Sequence, residues 1–251
     1  MALTLIPVMA RIRDDAMACH GYRERIRIGA SGGLGGPEAV AAAFILGADF
    51  IVTGSVNQCS PEAGTSPPVK DLLAQLDVQD TGYAPAGDMF ELGSRVQVMR
   101  KGTLFAARSN QLYQLYRQHE SLDAIDPRTR HTIETTWFHR SFDEVWRDVR
   151  DYHAQLGRVD EVERAECNPR RRMALVFRWY FAHSIRVALE GDLAERVNFQ
   201  VHCGPAMGAF NRFVYHTELE DWRARHVDAI ADRLMQGAAE VLRRSALPSA
   251  V

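Results

Sequence analysis

Gly29-Ala30-Ser31-Gly32-Gly33-Leu34-Gly35-Gly36 is the stretch of this chain best equipped for chemistry. It continues a short run, Ile26 to Ala30, that reads as a strand. It leads into Pro37, Glu38 and an alanine-rich run to Leu46 that reads as a helix closed by Gly47. A strand feeding a glycine loop that opens a helix presents unpaired N–H groups at the positive end of the helix dipole. Glycine lets a phosphate approach that backbone closely. Asp49 to Thr53 reads as a second strand, parallel to the first and ended by Gly54-Ser55. Its end brings more N–H groups and a hydroxyl to the same edge. The chemistry indicated is the binding of one phosphate; the plain alternative is a glycine-rich turn with no ligand.

A dinucleotide fold is the rival reading, since Gly29, Gly33 and Gly35 fit a G-x-x-x-G-x-G spacing. Two features oppose it. The second strand ends in Thr53-Gly54-Ser55, with no acidic residue for a ribose diol. A Tyr-x-x-x-Lys pair is also missing: the only lysines are Lys70 and Lys101, and Tyr113 is followed at that spacing by Arg117. None of the nine histidines stands at a metal-binding spacing, and no Gly-x-Ser-x-Gly elbow supports acyl transfer. No residue is assigned a catalytic or metal-binding role.

The elements that must position this loop belong to an ordinary globular chain of 251 residues, 46% hydrophobic and 25% charged. A net charge of -2 gives no global field for nucleic acid or an anionic membrane, and no apolar run is long enough to span a bilayer. Four scattered cysteines, Cys19, Cys59, Cys167 and Cys203, indicate neither a disulfide framework nor a zinc site, so a reducing cytoplasm is expected. Helical spacing runs from about Leu3 to Gly21, and Ser66-Pro67-Pro68 opens a helix to about Leu76. Asp80 to Asp88 reads as irregular, and Val96 to Met99 with Thr103 to Phe105 as a hairpin about Lys101-Gly102. Helices are expected near 107–119, 126–138, 141–155, 159–166, 169–190 and 218–245. Cys203 to Asn211 suits either a loop passing a ligand or a tight packed connection.

Several longer motifs resemble one family. They are Arg27 to Ala39, Val52-Thr53-Gly54-Ser55-Val56-Asn57-Gln58, Glu62-Ala63-Gly64-Thr65-Ser66, Asp88-Met89-Phe90-Glu91-Leu92-Gly93, Met173 to Tyr180, and Cys203 to Asn211. Together they are similar to the PfaD family, trans-acting FMN-dependent enoyl reductases of polyunsaturated-fatty-acid and polyketide synthases with a nitronate-monooxygenase-like barrel. The helical region resembles the inserted helical domain associated with malonyltransferase-like proteins.

The resemblance implies an α/β fragment, the last βα units of a TIM barrel, over residues 1–66. A mostly α-helical substrate-side domain would then fill 67–251. It implies that Ser31, Gly32, Gly33, Gly54 and Ser55 hold the FMN phosphate, with NADPH as reductant and an enoyl thioester on an acyl carrier protein as substrate. The family's Gly-Gly-His-Thr segment and first six strands have no counterpart here, and His20 is no substitute. Gly36 replaces a usual threonine. Two parallel strands cannot close a barrel. The chain is therefore expected to be a C-terminal fragment, or a split subunit completed by a separate chain, and inactive alone. A non-catalytic helical docking module of a synthase is the alternative.

Overall fold

The computed structural model describes residues 2–246. In chain order the elements begin with α1 (Ala2–His20), β1 (Gly29–Ser31), α2 (Pro37–Ile45), β2 (Phe50–Val52), α3 (Pro67–Leu73), β3 (Thr81–Pro85) and β4 (Arg95–Met99). They continue with α4 (Phe105–Gln118), α5 (Pro127–Thr132), α6 (Phe142–Gln155), α7 (Val159–Glu166), α8 (Pro169–Glu190), α9 (Ala206–Phe213) and α10 (Val227–Ala246). Short 3-10 turns link several of these, and a π-helical turn spans Ile133–Trp137. The chain forms two compact units, residues 1–80 with 203–251, and residues 81–202.

In the first unit β1 and β2 pair in parallel, Gly29 opposite Phe50 and Ser31 opposite Val52. Asp49 anchors this pair: its carboxylate accepts the Ile28 N–H at 2.9 Å and meets Arg13 of α1 at 3.2 Å and Arg25 at 3.1 Å. Val40, Ala41 and Ala43 of α2 are buried in one cluster with Ile230, Leu234 and Ala238 of α10. Gly237 makes that approach possible, because a Cβ there would lie 2.8 Å from the Pro37 ring.

The second unit is built around α8. Phe177, Tyr180 and Phe181 are buried among Phe90, Phe105 and Phe142, with rings such as Phe105 and Phe181 meeting edge-on at 5.5 Å. Helix ends carry the expected chemistry. Ser141 and Glu144 close a capping box on α6, Asn168 accepts the Arg171 N–H on α8, and Gly191 ends α8 at φ 73°.

The structure departs from the sequence reading in several places. Residues 81–85 are not irregular: they form β3, which pairs antiparallel with β4 from Thr81↔Met99 to Pro85↔Arg95. Residues 103–105 are not the hairpin arm; Phe105 is fully buried and starts α4. Gly82, Ala84 and Pro85 are weak strand formers, so long-range pairing decides this strand rather than local preference. Cys203 to Asn211 is mainly helix, with Met207 and Phe210 buried one turn apart. The last long helix starts at Val227 rather than 218, because the buried Arg225 guanidinium binds the Leu219 and Glu220 carbonyls and forces a turn before it. The expected division at residue 66 also differs from the compact units, since α9 and α10 belong with the first 80 residues.

Candidate phosphate site at the paired strand ends

Parallel pairing places the ends of β1 and β2 at one edge, so Ser31-Gly32-Gly33 and Thr53-Gly54-Ser55 leave neighbouring strands in the same direction. Gly32 and Gly33 have φ of 88° and 76°, the left-handed region that favours glycine. A Cβ at Gly32, Gly33 or Gly54 would meet no atom within 4 Å, so this backbone lies open. Ser31, Gly32, Gly33 and Gly54 are exposed and Ser55 is half-buried.

Helix α2 begins right behind the loop. Its N-cap, Gly36, has extended φ of -143° and no side chain to cap the first N–H groups. Exposed Glu38 reaches back, its carboxylate oxygen 3.6 Å from where a Gly36 Cβ would stand. That charge opposes an anion, so attraction at this loop comes from backbone amides and the helix dipole.

A third segment, the entry to α9, joins the two loops as a tight packed connection, one of the two alternatives that Cys203 to Asn211 suits. The Gly204 N–H donates to the Ser55 hydroxyl at 3.0 Å, and a Cβ at Gly35 would stand 1.9 Å from the Ala206 carbonyl oxygen. The entry to α9 is thus pressed onto the glycine loop. Gly208 is used in the same way, since a Cβ there would lie 2.2 Å from the Asp77 carbonyl carbon. These glycines serve helix packing.

Other singled-out residues find structural partners. Asn57 is held by Thr53, whose hydroxyl donates to its side-chain oxygen at 3.1 Å. Asn211 donates to the Leu73 and Leu76 carbonyls at 2.9 and 2.8 Å and accepts from Arg225 at 2.8 Å. Three consecutive arginines at the start of α8, Arg170, Arg171 and Arg172, pair with Glu120, Glu161 and Asp143 at 2.7, 2.5 and 2.9 Å, so their charge is neutralised within the same unit. His183 is half-buried against Trp179, whereas His202 is exposed and bonded to Gln200 at 2.8 Å. Burial pushes the Cys59 thiol up to about 11 and the Cys203 thiol up to about 12, so neither is a nucleophile at neutral pH. Among the described residues no group of His, Cys, Asp and Glu could hold a metal ion, and no helix is long and apolar enough to cross a membrane.

Comparison with known proteins gives a consistent picture. Residues 119–199 match the family model described as [acyl-carrier-protein] S-malonyltransferase, inserted helical domain. The chain is 52% identical over 240 residues to the polyketide biosynthesis protein ThaF of Burkholderia thailandensis, covering 96% of this chain and 20% of that protein. It is 50% identical over 242 residues to the polyketide biosynthesis protein PksE of Bacillus subtilis, covering 96% of this chain and 31% of that protein. Among solved structures, the enoyl reductase domain of MlnA, from the macrolactin biosynthesis cluster of Bacillus amyloliquefaciens, superposes with a TM-score of 0.92 at 46% identity. That match covers 98% of this chain and 55% of that one. A polyunsaturated fatty acid synthase polypeptide of Thraustochytrium sp. is also similar, at 37% identity over 97% of this chain and 17% of its own length. The chain therefore belongs to the PfaD-like family of polyketide and polyunsaturated-fatty-acid synthase proteins, and it spans only part of the length of the relatives it matches.

Proposed function

We propose that this chain is the C-terminal part of an FMN-dependent enoyl reductase acting on enoyl thioesters carried by an acyl carrier protein. In this reading it supplies the last βα units of a TIM barrel and the phosphate half of the flavin site. The observation that carries the reading is the parallel register of Ser31 with Val52, which sends two glycine-bearing loops off one sheet edge. The residues fit the group: Gly32 and Gly33 are open at positive φ, and the N-cap Gly36 leaves the α2 N-terminus without a side-chain cap. The backbone of Ser31, Gly32, Gly33 and Gly54 would hold the FMN phosphate. The Ser55 hydroxyl, which already accepts the Gly204 N–H, would add its own proton as a donor. Bound FMN would supply the hydride, with NADPH as its source.

The flavin ring site and the acid that completes the reduction would come from sequence outside these residues. Two strands, β1 and β2, form one sheet, and β2 exposes Phe50 and Val52. Such a sheet leaves backbone groups and apolar side chains for further strands to cover. A separate chain or an upstream segment supplying that sheet is the implied partner, and reductase activity is expected only with it.

Co-expression with the portion of an enoyl reductase domain that this chain does not match tests the reading. A purified complex with a visible flavin absorbance band, lost on Gly32→Asp, supports it. A colourless complex overturns it in favour of a non-catalytic docking module.

A further inference from the structure

The helical unit carries a second candidate site, away from the glycine loop in sequence and independent of flavin. Helices α6 and α8 flank a cavity of about 450 Å³, in the range of small-ligand sites (~300–1,000 Å³). Val149, Leu175 and Ala182 give it an apolar floor, Tyr152 and Trp179 give it aromatic walls, and Arg140, Arg178 and Arg186 face it against a single carboxylate, Asp148.

The three guanidiniums are not equally committed. Arg140 is delivered by an unusual backbone: a π-helical turn ends at Trp137, His139 follows at φ 53°, and the Arg140 N–H reaches the Glu134 carbonyl at 2.9 Å. Its guanidinium pairs with Asp148 and lies 6.0 Å from the Trp179 ring centre. Arg178 meets Glu91 at a loose 3.6 Å. Arg186 has no acidic group within 4.0 Å among the described residues; it is held by His183 Nδ1 at 3.3 Å.

His183 is itself fixed. Its ring stacks on Trp179 at 4.9 Å with planes 6° apart, and its Nε2 faces Glu195 at 3.5 Å. Glu195 is bound in turn by Asn198 at 2.6 Å, whose oxygen accepts from buried Arg108 and from Tyr180. Burial lowers the His183 pKa, so the ring is held neutral, with Nε2–H toward Glu195 and the Nδ1 lone pair toward Arg186. Arg186 is thus oriented by a neutral acceptor and keeps its full charge free. Nearby, the buried His153 Nδ1 lining the same cavity has no protein hydrogen-bond partner.

We propose that this cleft binds a phosphate ester with an uncharged arm, the phosphate at Arg186 and the arm along Trp179, Leu175 and Tyr152. A guanidinium held by a neutral acceptor suits an anionic phosphate, and the aromatic and aliphatic lining suits an uncharged chain. The ligand can be a free phosphate monoester or a phosphopantetheine arm joined to a protein through a phosphodiester; what they share is an anionic phosphate followed by an uncharged arm.

Isothermal titration of the full chain with 4′-phosphopantetheine, with pantetheine lacking the phosphate, and with decanoate tests the assignment. The expected result is a Kd below ~1 mM for phosphopantetheine only. Arg186→Ala, at an exposed position, should weaken binding about tenfold or more with an unchanged circular dichroism spectrum, and Arg186→Lys should recover part of it. Repeating the titration with a carrier protein in its apo and phosphopantetheinylated forms separates the two sources. Holo-specific binding assigns a carried arm, and binding of the free compound alone assigns a small molecule. Equal binding of pantetheine, binding of decanoate alone, indifference to Arg186→Ala, or no binding of phosphopantetheine up to ~10 mM would each overturn the proposal.

Discussion

The Ser55 hydroxyl accepts the Gly204 N–H at 3.0 Å across 149 positions of sequence, tying the loop after β2 to the entry of α9. The same loop edge receives the Ala206 carbonyl against Gly35, so α9 is the brace of the candidate phosphate site. Removing the hydroxyl leaves a partly buried N–H unpaired. Ser55→Ala is expected to cost about 1–2 kcal/mol in urea denaturation. An unchanged midpoint would show that the brace carries no energy.

The glycines divide into two kinds, and alanine substitution separates them. Gly208→Ala places a methyl 2.2 Å from backbone at Asp77 and Val78, so it should destabilise the chain by ~2 kcal/mol or more. Gly32→Ala meets no neighbouring atom and carries only the strain of a φ of 88°, about 1 kcal/mol. A thermal melt that ranks them the other way contradicts the packing of α9.

Asp77 reports on the same contact in solution. Hydrogen bonding from Arg212, then from the Val78 N–H, lowers its carboxyl to about 2. A depressed folded-state pKa stabilises the fold above the ordinary carboxylate value of 3.8, and this contribution is lost as pH falls through about 2. An NMR titration should therefore find the Asp77 midpoint well below 3.8. Arg212→Ala should raise it toward 3.8; a midpoint already ordinary in the unaltered chain would contradict the pairing.

The thiols give a test of burial. Cys19 and Cys167 are exposed, while Cys59 and Cys203 are buried with pKa values pushed to about 11 and 12. A chromogenic disulfide reagent at neutral pH should modify two thiols quickly and the other two only on unfolding. Rapid reaction of all four would mean that the interior around Ser55 and Arg225 is open.

What the residues determined alone is local. The glycine loop and the alanine-rich run marked α2 and the strands on either side of it, because positive φ, capping and helix propensity act within a few positions, although β1 is Gly29–Ser31 rather than Ile26 to Ala30. The prolines at the starts of α3, α5 and α8 likewise stand close to where those helices are expected to begin. The family motifs added what spacing could not: membership of a family of polyketide and polyunsaturated-fatty-acid synthase proteins.

Tertiary structure decided the rest. β3 exists because Arg95–Met99 lies beside it, although Gly82, Ala84 and Pro85 have little strand preference. Cys203 to Asn211 has the composition of a loop, yet it is a helix because Met207 and Phe210 fill a core and Gly35 and Gly208 let backbones touch. Arg186, His183 and Glu195 are unremarkable in the sequence. Helical spacing along α8 already sets Trp179, His183 and Arg186 side by side, but only folding brings Glu195 to His183 and lays α6, with Asp148 and Tyr152, along that face, because those contacts join separate segments of the chain.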